Sequence, residues 1–258
     1  MRADLTAGPG TTLAGMASGA LESLIADLAE ISGYFHLYTA DAPPGPWRPL
    51  GTLLDDGPAF AARIAMVAAH LGTDELRIAA SVAHLGISAR IWSPVVGALV
   101  AHRVLLDWSA DTLEWKDALG GPLPLRLPSP TGRPVEDPVK AAGALYAAVE
   151  PLLDRLNGLV LGEVKLAPRL LWGNTASALG GAVRALASAR PHLSADALAL
   201  GDALLGSGRL RGTGTFTESA PGEAFFTRTT CCLYYRIPGG GKCGDCALLE
   251  SKPRGRAR

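Results

Sequence analysis

The four cysteines of this 258-residue chain all lie within sixteen residues near its C-terminus. Cys231 and Cys232 are adjacent, ten residues follow, and Cys243 and Cys246 then form a Cys-x-x-Cys pattern. Four thiolates at this spacing are the ligand set of one metal site, because thiolates are soft donors that select zinc or iron–sulfur clusters. In a reducing compartment clustered cysteines are metal ligands more often than disulfides.

The spacing alone leaves the metal open. A Cys-x-x-Cys turn presents two thiolates to one metal, and Gly244 relieves the backbone for that turn. Side chains of neighbouring residues in an extended strand point to opposite sides, so Cys231 and Cys232 reach one zinc ion only if the backbone turns sharply. A two-iron cluster offers two attachment points. The pattern therefore predicts a zinc site or an iron–sulfur cluster, with a redox dithiol as the third alternative.

Composition limits the class of protein. Hydrophobic residues make up 48% of the chain and charged residues 19%, which argues against intrinsic disorder. The formal net charge is zero, so no overall field attracts nucleic acid or an anionic membrane. The N-terminus lacks a secretory signal pattern, and the longest weakly charged run, residues 91–101, falls short of the roughly 20 apolar residues of a spanning helix. We expect a cytoplasmic protein without stable membrane insertion or a nucleic-acid partner.

Hydrophobic periodicity predicts an α+β fold that is mainly α-helical with a small antiparallel β-sheet. Helices are predicted from Thr11 or Thr12 to residue 31, at residues 58–71, 74–88, 94–102 and 139–161, from residue 168, and at 195–205. Gly72 is expected to end the second helix, residues 91–94 to interrupt the chain between the third and fourth, and Pro151 to kink or divide the fifth. Short strands are predicted at residues 104–108, 113–115 and 123–127 as a meander, and at 209–219 and 224–230 before the cysteines.

A loop rich in proline and glycine, residues 128–138, is the candidate boundary between two halves. Residues 1–132 form the predicted N-terminal helical half with the meander. Residues 133–258 form the C-terminal helical half, which ends in the metal-binding segment 230–247. The two halves also fit one compact domain.

The cysteine segment resembles the C-terminus of the ferric-siderophore reductases of the FhuF type. The adjacent pair, both spacings, the run Tyr234-Tyr235-Arg236 and Gly244-Asp245 carry this resemblance. Two upstream stretches, residues 74–94 and 171–177, are similar to the family in the same order. The resemblance covers about residues 55–250.

The resemblance implies a [2Fe-2S] cluster on Cys231, Cys232, Cys243 and Cys246 and an oxidoreductase that reduces chelated Fe(III) by one electron. Siderophore oxygens are hard donors that hold Fe(III) tightly and Fe(II) poorly, so reduction releases the iron. The implied partners are a ferric siderophore and an electron donor such as a ferredoxin or a flavin reductase. Backbone amides of residues 239–244 are candidates for hydrogen bonds to sulfur.

Two functions compete with this interpretation: a zinc-stapled protein that binds a siderophore or a partner without redox activity, and an iron–sulfur subunit that serves another enzyme. Side chains that could contact a substrate are Arg77, His84, Trp172, Asn174, Tyr235, Arg236 and Lys242. Of these, Trp172 fits an apolar helical stripe, which is typical of a core position. Arg77 and His84 belong to a polar stripe with Ser81 and Ser88, and the expectation for such a stripe is exposure to solvent.

Overall fold

Helices dominate the computed structural model, which describes residues 18–118, 120–218 and 223–249. The described helices are α1 Ser18–Ala29, α2 Leu50–Asp55, α3 Gly57–Leu71, α4 Leu76–His102, α5 Ala142–Glu163, α6 Pro168–Ala189 and α7 Ser194–Leu205. The predicted start of the first helix at Thr11 or Thr12 lies outside the described residues. The α+β, mainly helical fold class is confirmed.

The described strands are short. They are β1 Arg48–Pro49, β2 Val104–Leu106, β3 Glu114–Trp115, β4 Leu125–Arg126, β5 Gly132–Pro134, β6 Gly214–Glu218 and β7 Ala224–Arg228. Strand β3 lies between β1 and β4, whereas β2 pairs with β5, all antiparallel. The predicted meander is wrong for its first strand, because β2 does not pair with β3. Its partner is β5, which follows the proline-rich loop, and the two form a separate sheet.

The ends of α3 follow the local chemistry of its sequence. Asp56 caps the helix by accepting a hydrogen bond from the backbone amide of Ala59, at 2.9 Å, and Pro58 occupies its first turn. Gly72 ends the helix in the left-handed conformation with φ of 62°, which glycine adopts without steric cost. The predicted end at Gly72 is confirmed.

Helix α4 is continuous, so the predicted interruption at residues 91–94 is wrong. Pro94 lies inside the helix, and the neighbouring Ser93 hydroxyl donates to the Ala89 carbonyl at 2.7 Å. The helix is buried on nearly all sides from Ile78 to Val100, and this packing outweighs the local cost of a proline, about 3 kcal/mol. By length and composition α4 could span a membrane, but 78% of its most apolar window is buried inside the protein, as in the core helix of a soluble protein.

One hydrophobic core joins elements from both predicted halves. Helix α4 packs most extensively against α6 and also contacts α3 and α5. Helix α5 runs through Pro151 without being divided, and Leu145, Val149 and Leu153 on α5 share the core with Val96 on α4. The domain boundary near residue 132 stays a prediction.

The polar stripe of α4 is buried, which corrects the expectation of exposure. Ser81, His84 and Ser88 are fully buried, whereas Arg77, in the first turn, is exposed. His84 donates through Nε2 to Oδ1 of Asn157 on α5, at 2.7 Å. Burial lowers the pKa of His84 to about 4. The hydrogen bond with Asn157 acts in the opposite direction, and the charge of Arg228 lowers the pKa further. The ring is therefore neutral at physiological pH.

The His84 pKa predicts a stability loss in mild acid. The folded-state pKa lies below the ordinary value of 6.5, so the unfolded chain binds more protons between pH 6.5 and pH 4, and the free energy of unfolding falls as pH falls through this range. From pH 7.5 to 5.5 this group accounts for about 1 kcal/mol. In urea titrations His84→Gln, which keeps a hydrogen-bonding side chain, should lose about 1 kcal/mol less than the wild type over this interval. Equal losses in both proteins would contradict the assignment.

Candidate metal centre

The cysteine segment, residues 231–246, leaves the end of β7 and folds back on itself through a sharp turn. Leu233, directly after the adjacent cysteines, has a positive φ of 69°, which is uncommon for a residue with a side chain. A short 3₁₀ turn, Tyr234–Arg236, follows. Gly239 also has a positive φ, of 70°, and the chain then returns to the Cys-x-x-Cys turn, in which the Cys246 amide donates to the Cys243 carbonyl at 3.0 Å.

The four thiols form two pairs. Each pair combines one of the adjacent cysteines with one cysteine of the Cys-x-x-Cys turn. The Sγ atoms of Cys232 and Cys243 are 3.7 Å apart. Two thiolates on one tetrahedral metal with bonds of about 2.3 Å lie about 3.8 Å apart, so this pair has the separation of two ligands on one metal. The Cys231 and Cys246 thiols also interact with each other. Within the described ranges, no three His, Cys, Asp or Glu side chains form a ready-made site for a single ion.

Backbone amides point at the sulfurs. The Leu233 amide donates to Sγ of Cys231 at 3.3 Å, and the Leu248 amide donates to Sγ of Cys246 at 3.4 Å. The Tyr234 amide contacts the Cys232 thiol in the same way. Such hydrogen bonds stabilise thiolates and tune the potential of a cluster bound to them. These donors flank the cysteines and lie outside the glycine loop, residues 239–244, that the sequence suggested.

The Cys232 and Cys243 thiols differ in acidity. A hydrogen bond from the Cys243 thiol lowers the pKa of Cys232 to about 6, and the same hydrogen bond raises the pKa of Cys243. Burial raises the pKa of Cys231. Cys232, which is also buried, is therefore the thiolate that stands ready for a metal at neutral pH.

A buried polar network fixes this segment to the helical core. The Ser81 hydroxyl on α4 donates to the Cys232 carbonyl at 2.9 Å, and Asn174 on α6 donates through Nδ2 to the Ser81 hydroxyl at 2.8 Å. Arg228 at the end of β7 donates through Nη2 to Oδ1 of Asn174 at 2.5 Å. All three side chains of this chain of hydrogen bonds, Ser81, Asn174 and Arg228, are buried. The network links two helices, one strand and the cysteine pair.

Asp245 connects the other end of the segment to the same network. Its carboxylate accepts a hydrogen bond from the Ser177 hydroxyl on α6 and lies 3.8 Å from Nε of Arg228. The Arg228 amide donates to the Asp245 carbonyl at 3.1 Å. Gly173 on α6 lets Thr230 approach the helix closely, because a Cβ at position 173 would collide with Oγ1 of Thr230. Helix α6 therefore positions both ends of the cysteine segment.

The donor set fits an anionic cluster. Within the described part of the chain, Nε and Nη1 of Arg228 are buried without a hydrogen-bond partner, and so is Oγ1 of Thr230 next to Cys231. A buried guanidinium is costly unless a counter-charge is close. After the Cys243 hydrogen bond, the charge of Arg228 also lowers the pKa of Cys232. A cluster held by four thiolates carries net negative charge and supplies the missing counter-charge.

The side chains predicted to contact a substrate fall into two groups. His84, Trp172 and Asn174 are buried, and Arg209 lies over the Trp172 ring with its guanidinium carbon 5.5 Å from the centroid. Arg77, Tyr235, Arg236 and Lys242 are exposed. The Glu75 carboxylate forms ion pairs with Arg77 at 3.1 Å and with Arg236 at 2.7 Å. Lys242 donates a hydrogen bond to the Leu248 carbonyl at 2.7 Å. Substrate contact by all seven side chains stays a prediction.

Sequence reasoning missed Arg228, Ser177 and Asp245 as parts of the centre. For Arg228 a signal was present in the strand pattern. Along β7, Ala224, Phe226 and Arg228 are buried while Phe225 and Thr227 face outward, the period of two that a half-buried strand requires. An arginine on the inner face of a strand needs an anionic partner there, and the cysteines begin three residues later.

A family comparison identifies the cofactor of this segment. Residues 228–248 match the model of the FhuF 2Fe-2S C-terminal domain, which confirms the resemblance seen in the cysteine pattern. No curated protein matches the chain closely enough to count as a relative. With four cysteines in proximity and the family match, the cofactor is a [2Fe-2S] cluster.

Removal of the metal should reveal the pairing of the thiols. After chelation of iron under denaturant-free conditions and mild oxidation, we expect a Cys232–Cys243 disulfide first, because these sulfurs are 3.7 Å apart and Cys232 is the thiolate. Peptide mapping by mass spectrometry identifies the bond. Under the same oxidation, Cys232→Ser should form a disulfide more slowly than the wild type. A dominant Cys243–Cys246 or Cys231–Cys232 bond would contradict the pairing.

Arg228 should raise the reduction potential of the bound cluster. A buried cation stabilises the reduced form, which carries one more negative charge, so Arg228→Gln should lower the midpoint potential by roughly 60 mV for each ~1.4 kcal/mol of lost interaction. Arg228→Lys keeps the charge and should fall between wild type and Arg228→Gln. The matched control is Arg236→Gln, whose side chain is 38% exposed. An unchanged or higher potential in Arg228→Gln, measured with full iron content, would refute this role.

Proposed function

We propose that this protein, whose residues 228–248 match the FhuF 2Fe-2S C-terminal domain, is a ferric-siderophore reductase that releases iron in the cytoplasm. The observation that carries the proposal is a four-cysteine segment of this family held at the protein surface. Cys231 and Cys243 are partly exposed, while Cys232 and Cys246 are buried. The site is therefore anchored on one side and accessible to another molecule on the other.

The chemistry is the transfer of one electron. Hydroxamate, catecholate and carboxylate oxygens are hard donors that suit Fe(III) and bind the larger, less charged Fe(II) weakly. When bound, the cluster supplies single electrons. One electron passes from the reduced protein to chelated Fe(III), Fe(II) forms, and the chelate loosens without the breaking of a bond in the siderophore.

The residues of this chain prepare that transfer in three ways. The partly exposed thiols Cys231 and Cys243 bring the redox centre to the surface. Arg228 compensates the negative charge that arrives with each electron. The hydrogen bonds from Ser81 and Asn174 hold the cysteine backbone to two long helices, which limits rearrangement when the charge of the site changes.

Exposed apolar side chains near the cysteines support a docking surface for the electron donor. Tyr234, Tyr235, Leu248 and Leu249 are between 36% and 47% exposed and lie in or directly after the cysteine segment. Apolar surface of this kind is typical of protein contacts, and electron-transfer complexes use small ones. We assign this surface to a ferredoxin or a flavin reductase.

The test is a single-turnover experiment on anaerobically purified protein. We expect a red-brown protein with two irons and two sulfides per chain, as a [2Fe-2S] cluster requires. The protein is reduced with a limiting amount of dithionite and mixed with excess ferric trihydroxamate and a chromophoric Fe(II) trap. Oxidation of the reduced protein should be matched by about one Fe(II) trapped per cluster.

Two outcomes would contradict the proposal. A colourless protein with one zinc and no sulfide would favour a zinc-stapled binding protein. A reducible cluster that ignores ferric chelates but passes its electron to a protein acceptor would favour an electron-transfer subunit. Cys243→Ser, which removes one of the four thiols, is the control and should yield little trapped Fe(II).

A further inference from the structure

A cavity of about 480 Å³ lies between helices α4 and α6 and borders the cysteine segment. Gly86 and Ala89 line it from α4, Gly181 and Arg184 line it from α6, and Cys243 closes one side together with the two residues that follow it. Its volume lies within the range of about 300–1,000 Å³ that is usual for small-molecule sites. The cavity is thus of ligand size and is in direct contact with a cluster-ligating cysteine.

Glycines keep this cavity open. Glycine in the middle of a helix is less favourable than alanine, so a packing reason is expected for each one. On α6, Gly173 and Gly180 have such a reason, because a Cβ would collide with Thr230 and with Phe226. Among the described residues nothing lies within 4 Å of a Cβ added at Gly181 or at Gly86. The space in front of these two glycines is therefore not filled by the protein itself.

The charges around the cavity favour one class of chelate. Arg184 is exposed, and its Nη1 lies 3.7 Å from a Cβ added at Gly244, so the guanidinium reaches the Cys-x-x-Cys turn. Asp245, the carboxylate in the lining, is already engaged by Ser177 and Arg228. The positive charge of Arg184 offsets part of the negative charge of Asp245 and of a cluster on the thiols, so it favours anionic chelates over cationic ones and affects neutral ones little.

We propose that this cavity is the binding site of the ferric chelate, that Gly86 and Gly181 provide the room for it, and that Arg184 favours anionic chelates. The inference rests on the proposed function and adds the place and the charge class of the substrate. A chelate in the cavity lies against Cys243, so the electron crosses from a cluster ligand to the iron without an intervening protein layer.

Filling the cavity tests the inference. Gly181→Leu places a side chain in open space of the cavity, and Gly86→Leu fills it from the opposite helix. The matched control is Gly158→Leu on α5, an exposed position where nothing among the described residues lies within 4 Å of an added Cβ. The binding probe is a gallium(III) trihydroxamate, which has the charge of the ferric chelate and is redox-inert, measured by equilibrium dialysis with the oxidised, cluster-loaded protein.

We expect both cavity variants to bind the gallium chelate at least about tenfold more weakly than the wild type and to reduce the ferric chelate with a correspondingly higher KM. Their cluster absorption, electron paramagnetic resonance spectrum and midpoint potential should equal those of the wild type. Gly158→Leu should behave as the wild type in every measurement. Wild-type affinity for the gallium chelate in both cavity variants would overturn the inference.

The charge of Arg184 is tested separately. Arg184→Glu should weaken binding of a gallium(III) tricatecholate, which carries three negative charges, by about tenfold or more, and should change binding of a neutral trihydroxamate much less. Arg169→Glu, an exposed site at the start of the same helix, is the control. Equal effects of the two substitutions on the tricatecholate would refute a selective role for Arg184.

The outcomes separate this inference from the function on which it rests. If the wild type reduces ferric chelates and the cavity variants do so with unchanged KM, the function stands and the site lies elsewhere. If the wild type holds its cluster but neither binds gallium chelates nor reduces ferric ones, both the proposed function and the inference fail.

Discussion

The buried guanidinium of Arg228 is the interaction on which the metal centre depends. It reaches Asn174 with one nitrogen, lies near the Asp245 carboxylate with another, and acts electrostatically on Cys232. Burial of a charge costs several kcal/mol unless opposite charges and hydrogen bonds compensate it. One carboxylate at 3.8 Å is weak compensation, and an anionic cluster on the adjacent thiols completes it. The cation and a cluster on these thiols would therefore stabilise each other.

The helices supply rigidity that the cysteine segment lacks. This segment contains three successive glycines and two residues with positive φ, and its regular structure is limited to one 3₁₀ turn. It is held in place by α4 through Ser81 and by α6 through Asn174, Ser177 and the close approach at Gly173. Side chains fixed on packed helices keep their positions better than side chains on loops. The polar residues inside the core are thus positioning groups for the redox site.

The sequence predicted the fold class and the cofactor better than the connections between the elements. The cofactor was predictable because four thiols at short spacing are a ligand set typical of zinc or iron–sulfur centres. The burial of Ser81 and His84 was not predicted, because helical periodicity shows which residues share a face and does not show whether another element covers that face. The continuity of α4 through Pro94 was missed for a similar reason, since tertiary packing from both sides of the helix outweighs a local propensity.

The distribution of exposure among the cysteines links folding to reactivity. Each thiol pair contains one buried member, Cys232 or Cys246, and one partly exposed member, Cys243 or Cys231. A cluster held by these four thiols would be anchored in the interior through Cys232 and Cys246 and would be closest to solvent at Cys231 and Cys243. Exposure of this kind shortens the path to an external acceptor, and it also gives oxygen access to the sulfurs. The same exposure of Cys231 and Cys243 therefore favours both electron exchange with an external molecule and oxidation of the sulfurs.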